Sequence, residues 1–243
     1  MKLVESIMTQ NPCYKAGRKI TVKGLMLHSV GCPQPSASVF IKNWNKSTYN
    51  NACVHGFIDA NDGTVYQTLP WNHRGWHGGG SSNNTHIGVE MCEPACIKYT
   101  SGANFTCSDL ASARAAAKRT YDSAVELFAM LCKKFNLDPL KDICSHKEGC
   151  VKGIASNHGD PEHLWTQLGM GYSMDSFRKA VKAKMDEKKL DNVPSAWSKD
   201  AVSWAVENKL MEGSTNGDLM LRSPITREQF CVMLKRYHDK FHK

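Results

Sequence analysis

The sequence lacks the long apolar stretches that membrane-spanning helices need. No uninterrupted apolar run reaches about 18 residues, the length that indicates a spanning helix. The longest apolar patch, from Ala124 to Cys132, is interrupted by Glu126 and predicts a core helix. We therefore expect no insertion into a membrane. A hydrophobic share of 41% in 243 residues is enough to build a sizeable core.

The N-terminus also lacks the apolar segment of a secretory signal. Lys2 is basic, but Glu5 follows within three residues. A signal peptide needs an apolar region of roughly 7–15 residues after its basic start. Because no such signal is seen, we expect the ten cysteines to be reduced thiols in a cytosol rather than a disulfide framework.

Patterns typical of nucleic-acid-binding proteins are missing as well. The net charge is +8, but no basic run is interleaved with aromatic residues, and no helix-turn-helix or RNA-binding motif occurs. A basic surface of this kind keeps a protein soluble and attracts polyanions in general. We predict no nucleic-acid partner and keep an anionic bacterial wall polymer as a candidate partner.

Short apolar strands alternate with helical patterns through most of the chain, which predicts an α/β domain with a mixed central sheet flanked by helices. Helices are predicted to start at Ser36 and to cover Ala111–Phe135 and Ser173–Lys188. A turn at Asn61-Asp62-Gly63 predicts a hairpin between two of the strands. The predicted strands are Val22–Ser29, Val54–Asp59, Thr64–Thr68, His86–Met91 and Asp142–His146.

A densely charged segment, Lys182 to Lys189, ends this domain, so we place the two domains at residues 1–187 and 188–243. The second part carries two short amphipathic helices, one around Trp204 and the other around Phe230. At roughly 50 residues it is marginal as an independent core. We predict a small all-α module.

Two imidazoles and one carboxylate stand in contexts that suit a metal ion. His28 lies where a buried strand gives way to a turn, His146 ends another short strand, and Asp160 lies in a Gly-Asp-Pro turn. Each residue taken alone is more often a core, surface or turn residue. Together they form a ligand set for Zn²⁺ that leaves a fourth position open, as in hydrolytic zinc sites.

These motifs resemble those of the zinc-dependent N-acetylmuramoyl-L-alanine amidases of type 2, a group that includes phage endolysins and peptidoglycan recognition proteins. The resemblance covers residues 18–185, with all motifs in matching order. It implies the type 2 amidase fold, with His28, His146 and Asp160 as zinc ligands. The motifs are the Leu-His-Ser-Val-Gly strand end, the Asp62-Gly63 hairpin followed by Val-Tyr-Gln, the His-Ile-Gly-Val-Glu strand, and His146 leading to Gly-Asp-Pro.

The resemblance also implies catalytic roles. Glu90 matches the strand carboxylate that serves as general base, with Glu93 as a second carboxylate nearby. His158 stands where relatives often carry a lysine that stabilises the oxyanion, and an imidazolium there would carry a pH-dependent charge. Cys150 and His158 remain open as alternative third ligands. Some relatives place a tyrosine on the strand beside the site, where this chain has Val54.

An aromatic, glycine-rich loop between two predicted strands supplies candidate substrate contacts. We expect four residues to line or flank the substrate groove, and the alternative is that they only pack the loop. They are His55, which lies on the predicted strand Val54–Asp59, and the loop residues His73, Trp76 and His77.

The C-terminal segment resembles one S-layer homology repeat, from Asp191 through Trp197 to the Pro-Ile-Thr-Arg motif that includes Arg227. The resemblance implies that Trp197 and Arg227 bind an anionic secondary cell-wall polymer. Gln229 replaces the usual acidic residue, and Leu219 replaces an aromatic one. Because such repeats generally act in threes, a single repeat suggests weak anchoring or self-association into a homo-oligomer. The alternative is a helical cap on the first domain.

Taken together, these resemblances predict an enzyme that cleaves the amide bond between N-acetylmuramic acid and L-alanine in bacterial peptidoglycan. The missing signal suggests a phage endolysin, held in the host cytoplasm until release and acting on the extracytoplasmic wall. The competing prediction is a non-catalytic peptidoglycan recognition protein on the same fold. A third is a regulatory binder of a host enzyme.

Overall fold

The computed structural model describes residues 1–187, 191–215 and 217–242. The chain divides into two compact units, Met1–Asp186 and Glu187–Lys243. The end of the charged segment, at Lys188 and Lys189, lies outside the described residues, and so does the start that we predicted for the second domain.

A six-stranded mixed sheet forms the centre of the first unit. Its strands are β1 (Leu3–Glu5), β2 (Gly24–Ser29), β3 (Gly56–Ile58), β4 (Val65–Gln67), β5 (His86–Met91) and β8 (Ile143–Ser145). The order across the sheet is β1-β4-β3-β5-β2-β8. Strands β3, β5, β2 and β8 are parallel, and β4 runs antiparallel to β3. A separate hairpin consists of β6 (Ile97–Ser101) and β7 (Asn104–Cys107).

Helices flank this sheet, as the sequence predicts. They are α1 (Pro12–Lys15), α2 (Ala37–Trp44), α3 (Leu110–Phe135), α4 (His146–Val151), α5 (Glu162–Gln167) and α6 (Met174–Asp186). The main core joins alternate residues of β2 and β5 to apolar residues of α3 and α6, such as Phe128 and Phe177. All six residues of β2 are buried, which is typical of a central parallel strand covered on both faces.

The long helix α3 begins and ends at residues that satisfy its free backbone groups. The side chain of Asp109 accepts a hydrogen bond from the backbone N–H of Ser112 at 3.0 Å. Asn136 closes the helix in the left-handed conformation, with φ of 53°. Because these local signals are present in the sequence, the predicted span Ala111–Phe135 differs from the observed helix, Leu110–Phe135, by only one residue.

The hairpin predicted around Asp62-Gly63 is present, because β3 and β4 pair antiparallel and Gly63 has a φ of +76°. Other elements differ from the prediction. His146 is the first residue of α4 rather than the last residue of a strand. Part of the segment after it, predicted as a loop, is helical in α4 and α5.

The second unit is helical in its described residues, which agrees with the predicted all-α module. A short 3-10 turn (Ala196–Ser198) leads into α7 (Lys199–Glu207), and α8 covers Arg227–Phe241. The rings of Trp204 and Phe241 stack with centroids 5.9 Å apart. Leu210 is the one hydrophobic residue of this unit that is fully buried among those described. Throughout the described residues, no helix has the length and apolar character needed to cross a membrane.

Candidate metal site and active-site cavity

The site lies where the parallel strands β2, β5 and β8 end at one edge of the sheet. His28 on β2 is in register with Glu90 on β5, so their side chains project from the same face of the sheet. Strand β8 pairs with β2 and stops at Ser145, one residue before His146. The carboxyl edge of parallel strands is the usual place for a binding site in such sheets.

A capping box holds His146 at the start of α4. The Ser145 hydroxyl accepts a hydrogen bond from the N–H of Glu148 at 3.0 Å, and the Glu148 carboxylate accepts from the N–H of Ser145 at 3.2 Å. The same carboxylate pairs with Arg178 of α6 at 2.8 Å. The position of His146 is therefore fixed both by its own helix and by the helix beside it.

Two histidines and an aspartate converge in this pocket. The Nδ1 atoms of His28 and His146 are 3.1 Å apart. Oδ2 of Asp160 lies 3.3 Å from Nδ1 of His28, and Oδ1 lies 3.5 Å from Nδ1 of His146. One potential ligand atom from each residue lies within 4.8 Å of the others, and all three residues are buried.

The chemistry of these atoms fits a bound cation. The outward ring nitrogens already have partners, because Nε2 of His28 lies 3.1 Å from His77 and Nε2 of His146 lies 3.2 Å from the Ser156 hydroxyl. The two inward Nδ1 atoms and the carboxylate therefore face one another, and they present lone pairs to the same place when both imidazoles are neutral with hydrogen on Nε2. A divalent cation bound at their centre would satisfy all three at once.

The pKa values of the two imidazoles shift in opposite directions. Burial opposes a charge on His28, but its hydrogen bond to Asp160 and the nearby Glu90 outweigh burial and raise its pKa. Burial and then the neighbouring His28 lower the pKa of His146 to about 4. Burial would raise the pKa of Asp160, but the hydrogen bond and charge of His28 hold it below its usual value. His28 thus binds a proton more readily than a free imidazole does, and a metal ion at Nδ1 would compete with that proton.

Glu90 stands beside this group with an unused oxygen. Its Oε2 is buried and has no hydrogen-bond partner among the described residues. Burial raises the pKa of Glu90 to about 8, although the nearby His28 acts in the opposite direction. Leaving a buried carboxylate oxygen without a hydrogen bond is energetically unfavourable. Buried carboxylates with a raised pKa are frequent among the groups that exchange protons in catalysis.

A cavity of about 590 Å³ opens onto the three candidate ligands and Glu90. Trp76, His77 and His158 also line it. His158 is exposed, its ring centroid is 4.4 Å from that of His146, and its Nδ1 lies 3.1 Å from the Ser156 hydroxyl. The structure therefore places both predicted catalytic residues, Glu90 and His158, at the edge of the candidate metal site.

Two of the four predicted substrate contacts, His55 and His73, are not among the residues lining this cavity. His55 is fully buried, with Nε2 donating to the carbonyl of His73 at 2.8 Å and Nδ1 accepting from the N–H of Gly88 at 3.0 Å. Both ring nitrogens are thus used inside the fold. His73 lies against Lys19 and Tyr14. Their positions favour packing of the loop, the alternative considered from the sequence.

Neither alternative third ligand belongs to the convergent group in the described part of the chain. Cys150 lies on α4, and its Sγ is 4.0 Å from Oδ1 of Asn157. Asp160 instead reaches the pocket and also accepts from the backbone N–H of Ser29 at 3.3 Å. Val54 is buried in a different apolar cluster.

One polar group of the cavity wall was not found from the sequence. Tyr99 and His163 line the cavity, and the Tyr99 hydroxyl lies 2.7 Å both from Oε2 of Glu93 and from Nε2 of His163. Burial raises the pKa of Glu93 to about 7. The alternation of Ile97 and Tyr99 before the Ser-Gly turn is the signal that could have identified this hairpin.

The candidate polymer contacts of the second unit are both on its surface. Trp197 is 90% exposed and borders a wide cavity of about 780 Å³ within that unit. Arg227 is the exposed first residue of α8 and is not among the residues lining that cavity.

Two imidazoles and a carboxylate that converge beside a further glutamate form a residue group that could hold a metal ion, a feature found in many metal-dependent hydrolases. A family profile described as Amidase_2, N-acetylmuramoyl-L-alanine amidase, matches residues 17–163, more than half of the chain. The protein therefore belongs to this family. The matched segment contains His28, Glu90, His146 and Asp160.

A curated relative, N-acetylmuramoyl-L-alanine amidase XlyA of Bacillus subtilis (strain 168), is 37% identical over 79 residues. The aligned segment covers 31% of this chain and 25% of the relative. The match thus spans about a quarter of that protein.

Solved structures share the fold at low identity. The Staphylococcus aureus hydrolase AmiA, in complex with its ligand, superposes with a TM-score of 0.57 at 20% identity, covering 76% of this chain and 83% of that one. The catalytic domain of XlyA gives 0.51 at 22%, covering 74% and 99%. A mutant endolysin from Bacillus subtilis gives 0.51 at 20%, with the same coverages.

Proposed function

We propose that this protein is a zinc-dependent amidase that hydrolyses the bond between the lactyl group of N-acetylmuramic acid and the first L-alanine of the peptidoglycan stem peptide. The observation that carries the proposal is the convergence of His28, His146 and Asp160 beside the unpaired Oε2 of Glu90. Membership of the amidase family supports the choice of substrate.

Zinc is the metal that this ligand set favours. Two imidazole nitrogens and one carboxylate oxygen are common zinc ligands. Three protein ligands leave the fourth coordination position of zinc open for water or substrate. When bound, zinc supplies Lewis acidity at the scissile carbonyl. The role of the protein is to hold the three ligand side chains in place and to exclude bulk water from their buried side.

Glu90 is the group that moves the proton. Its pKa of about 8 lies close to neutral pH, where a carboxylate can both accept and return a proton. Oε2 accepts the proton of the attacking water, and the same oxygen then delivers it to the departing nitrogen of L-alanine. Because no other described group occupies Oε2, this exchange requires no competing hydrogen bond to break.

His158 supports the oxygen that gains negative charge. Its ring stands next to that of His146 and lines the same cavity. A hydrogen bond donated from its ring to the former carbonyl oxygen would stabilise the tetrahedral intermediate. Trp76, which is 43% exposed, offers a flat apolar surface at the rim for sugar or peptide.

The second unit is proposed to hold the enzyme on the wall by binding an anionic secondary polymer. The exposed indole of Trp197 and the exposed guanidinium of Arg227 are suited to a polymer that carries both sugar rings and negative charge. In this setting, the biological role is that of an endolysin, and a named relative in fold is an endolysin from Bacillus subtilis.

Digestion of purified wall sacculi tests the enzymatic proposal. Mass analysis of the products should find free stem peptides with a new N-terminal alanine, lost with chelator and restored by zinc. Glu90→Gln provides the matched inactive control. New reducing sugar ends would identify a glycosidase and reject the proposal. Sedimentation with the sacculi but no released peptide would favour the non-catalytic recognition protein.

Sedimentation also tests the wall-binding proposal. Full-length chain carrying both Glu90→Gln and Trp197→Ala, or Glu90→Gln and Arg227→Ala, should bind less to sacculi that retain their anionic polymer than Glu90→Gln alone. Lys199→Ala in the same unit and background controls for simple loss of charge. Equal binding of all variants would reject a role for these two residues.

A further inference from the structure

His77 connects the candidate metal ligand His28 to the backbone of the sheet. Nε2 of His28 lies 3.1 Å from Nδ1 of His77, and Nε2 of His77 lies 3.0 Å from the carbonyl oxygen of His86. A carbonyl oxygen only accepts hydrogen bonds, so Nε2 of His77 carries a hydrogen. The remaining question is which nitrogen of the His28–His77 pair donates.

The surroundings of His77 answer that question. Its ring is buried, and the partners of its two nitrogens are the carbonyl oxygen of His86 and the ring of His28, with no carboxylate among them. A buried imidazole without a carboxylate partner is neutral, because an unpaired buried charge is unfavourable. A neutral imidazole has one N–H, and in His77 the carbonyl of His86 already uses it. Nδ1 of His77 is therefore an acceptor, and Nε2 of His28 must be the donor.

The fold makes room for this contact and holds it rigidly. A Cβ atom at Gly88 would lie 2.3 Å from Cγ of His77, so only glycine at this position of β5 allows the ring to lie against the sheet. On the other side, Oδ1 of Asn83 accepts hydrogen bonds from the backbone N–H groups of His77 and Gly78, each at 2.8 Å. Such support is expected of a side chain whose orientation matters.

We infer that His77 is a positioning residue that holds His28 in the tautomer with its hydrogen on Nε2, so that the lone pair of Nδ1 faces the metal position. The opposite tautomer would set two lone pairs against each other across the 3.1 Å between the rings. This is a different role from the substrate contact that the sequence predicts for His77.

The same loop also supports the second imidazole. The Ser156 hydroxyl lies 3.2 Å from Nε2 of His146 and 3.3 Å from the carbonyl oxygen of Gly78. When the hydroxyl donates to Gly78, its oxygen accepts from Nε2–H of His146. Nδ1 of His146 is then free of hydrogen as well. Residues His77 and Gly78 thus connect to both histidine ligands.

The tautomer can be measured without any metal. Long-range ¹H–¹⁵N correlation spectra of the metal-free, full-length chain at about pH 9, where imidazoles are neutral, should show His28 with hydrogen on Nε2. In His77→Ala, the Asp160 carboxylate beside Nδ1 becomes the better acceptor, and the hydrogen should shift toward Nδ1. Wild-type protein with its hydrogen on Nδ1 of His28 would overturn the inference.

Zinc affinity provides the second readout, measured by competition with a chromophoric chelator. His77→Ala should bind zinc about 10–100-fold more weakly, the usual cost of losing a group that orients a ligand. His77→Asn places an oxygen where Nδ1 was and should bind more tightly than His77→Gln, which places its amide where Nε2 was. Asn72→Ala, an exposed residue of the same loop that does not line the cavity, should keep the wild-type affinity.

The two substitutions also separate positioning from packing. If His77 only fills space, the Asn and Gln variants should lose the same affinity, and that result would overturn the inference. The inference rests on the proposed function for the identity of the metal. The two proposals can fail separately. If the wild type shows the Nε2–H tautomer and the variants show this order of zinc affinities, but the wild type releases no stem peptide, only the amidase proposal is overturned.

Discussion

In the first unit, the candidate metal ligands are buried, whereas the candidate polymer contacts of the second unit are exposed. His28 is 1% exposed and Asp160 is 8% exposed, but Trp197 is 90% exposed. Burying a polar group is unfavourable unless it has partners, and the three buried candidate ligands are held by specific hydrogen bonds. An exposed side chain has no such requirement. The candidate metal ligands of the first unit are thus held in place before any metal binds.

The largest expected difference concerns the metal site. Asp160→Ala should abolish stoichiometric zinc binding and lower amidase activity by about 10³-fold or more, since a catalytic metal supplies several kcal/mol and each 1.36 kcal/mol is a factor of ten. His73→Ala is the control, because His73 is also a buried polar residue of the first unit but does not line the cavity. Isothermal titration and wall digestion measure the two effects. Zinc binding that survives in Asp160→Ala would contradict the site.

Glu90→Gln separates catalysis from metal binding within the same buried group. The amide keeps the shape of the side chain but cannot take up the proton, so we expect activity to fall by about 10²–10⁴-fold with zinc affinity retained. Glu5→Gln, an exposed carboxylate on β1, is the matched control. An active Glu90→Gln variant would show that another group carries the proton.

A pair of phenylalanines tests the contrast in packing. Phe128 is fully buried in the core of the first unit, and Phe128→Ala should lower the free energy of unfolding by about 3–5 kcal/mol. Phe230 on α8 is 53% exposed, and Phe230→Ala should change stability by only about 0.5 kcal/mol. Urea denaturation of the full chain measures both. Equal losses would mean that the exposed aromatic residues of the second unit are packed in solution.

A further expected effect is a pH dependence of the free energy of unfolding caused by Glu93. Burial raises its pKa from 4.5 to about 7, so the native state binds more protons than the unfolded state between these values. The contribution of Glu93 is therefore fully present below pH 4.5 and declines as the pH rises toward 7, by about 3 kcal/mol in total. Glu93→Gln should lack this decline.

Denaturation in the presence of chelator, at several pH values from about 4.5 to 7.5, measures the difference between wild type and Glu93→Gln. Glu5→Gln should follow the wild-type curve. If Glu93→Gln loses stability with pH as steeply as the wild type does, the buried Glu93 carboxyl is not the source of the slope.

Strong local patterns made several elements predictable from the sequence. The helix α3 is predictable because the helical spacing of its apolar residues continues over many turns and because Asp109 and Asn136 stand at its ends. The β3–β4 hairpin was readable because Asp62-Gly63 specifies the turn. The short strand β1 and the hairpin β6–β7 were not, because three to five residues hold too little periodicity to stand out.

The partners of three histidines in the first unit could not be predicted from the local sequence. From the sequence, His55, His73 and His77 are all predicted to line or flank the substrate groove. In the folded chain, His55 bonds to backbone groups, His73 lies by Lys19, and His77 reaches a candidate ligand. No local pattern distinguishes them, because each partner comes from another segment.

By itself, the amino-acid sequence determined the alternation of strands and helices, the main turns, and the residue types capable of holding a metal. Only the tertiary structure decided which imidazole meets which partner. His28 is 118 residues from His146 and 49 residues from His77, and contacts over such separations depend on how the sheet orders its strands. The lone-pair directions that a metal requires arise from these long-range hydrogen bonds, which local propensity does not encode.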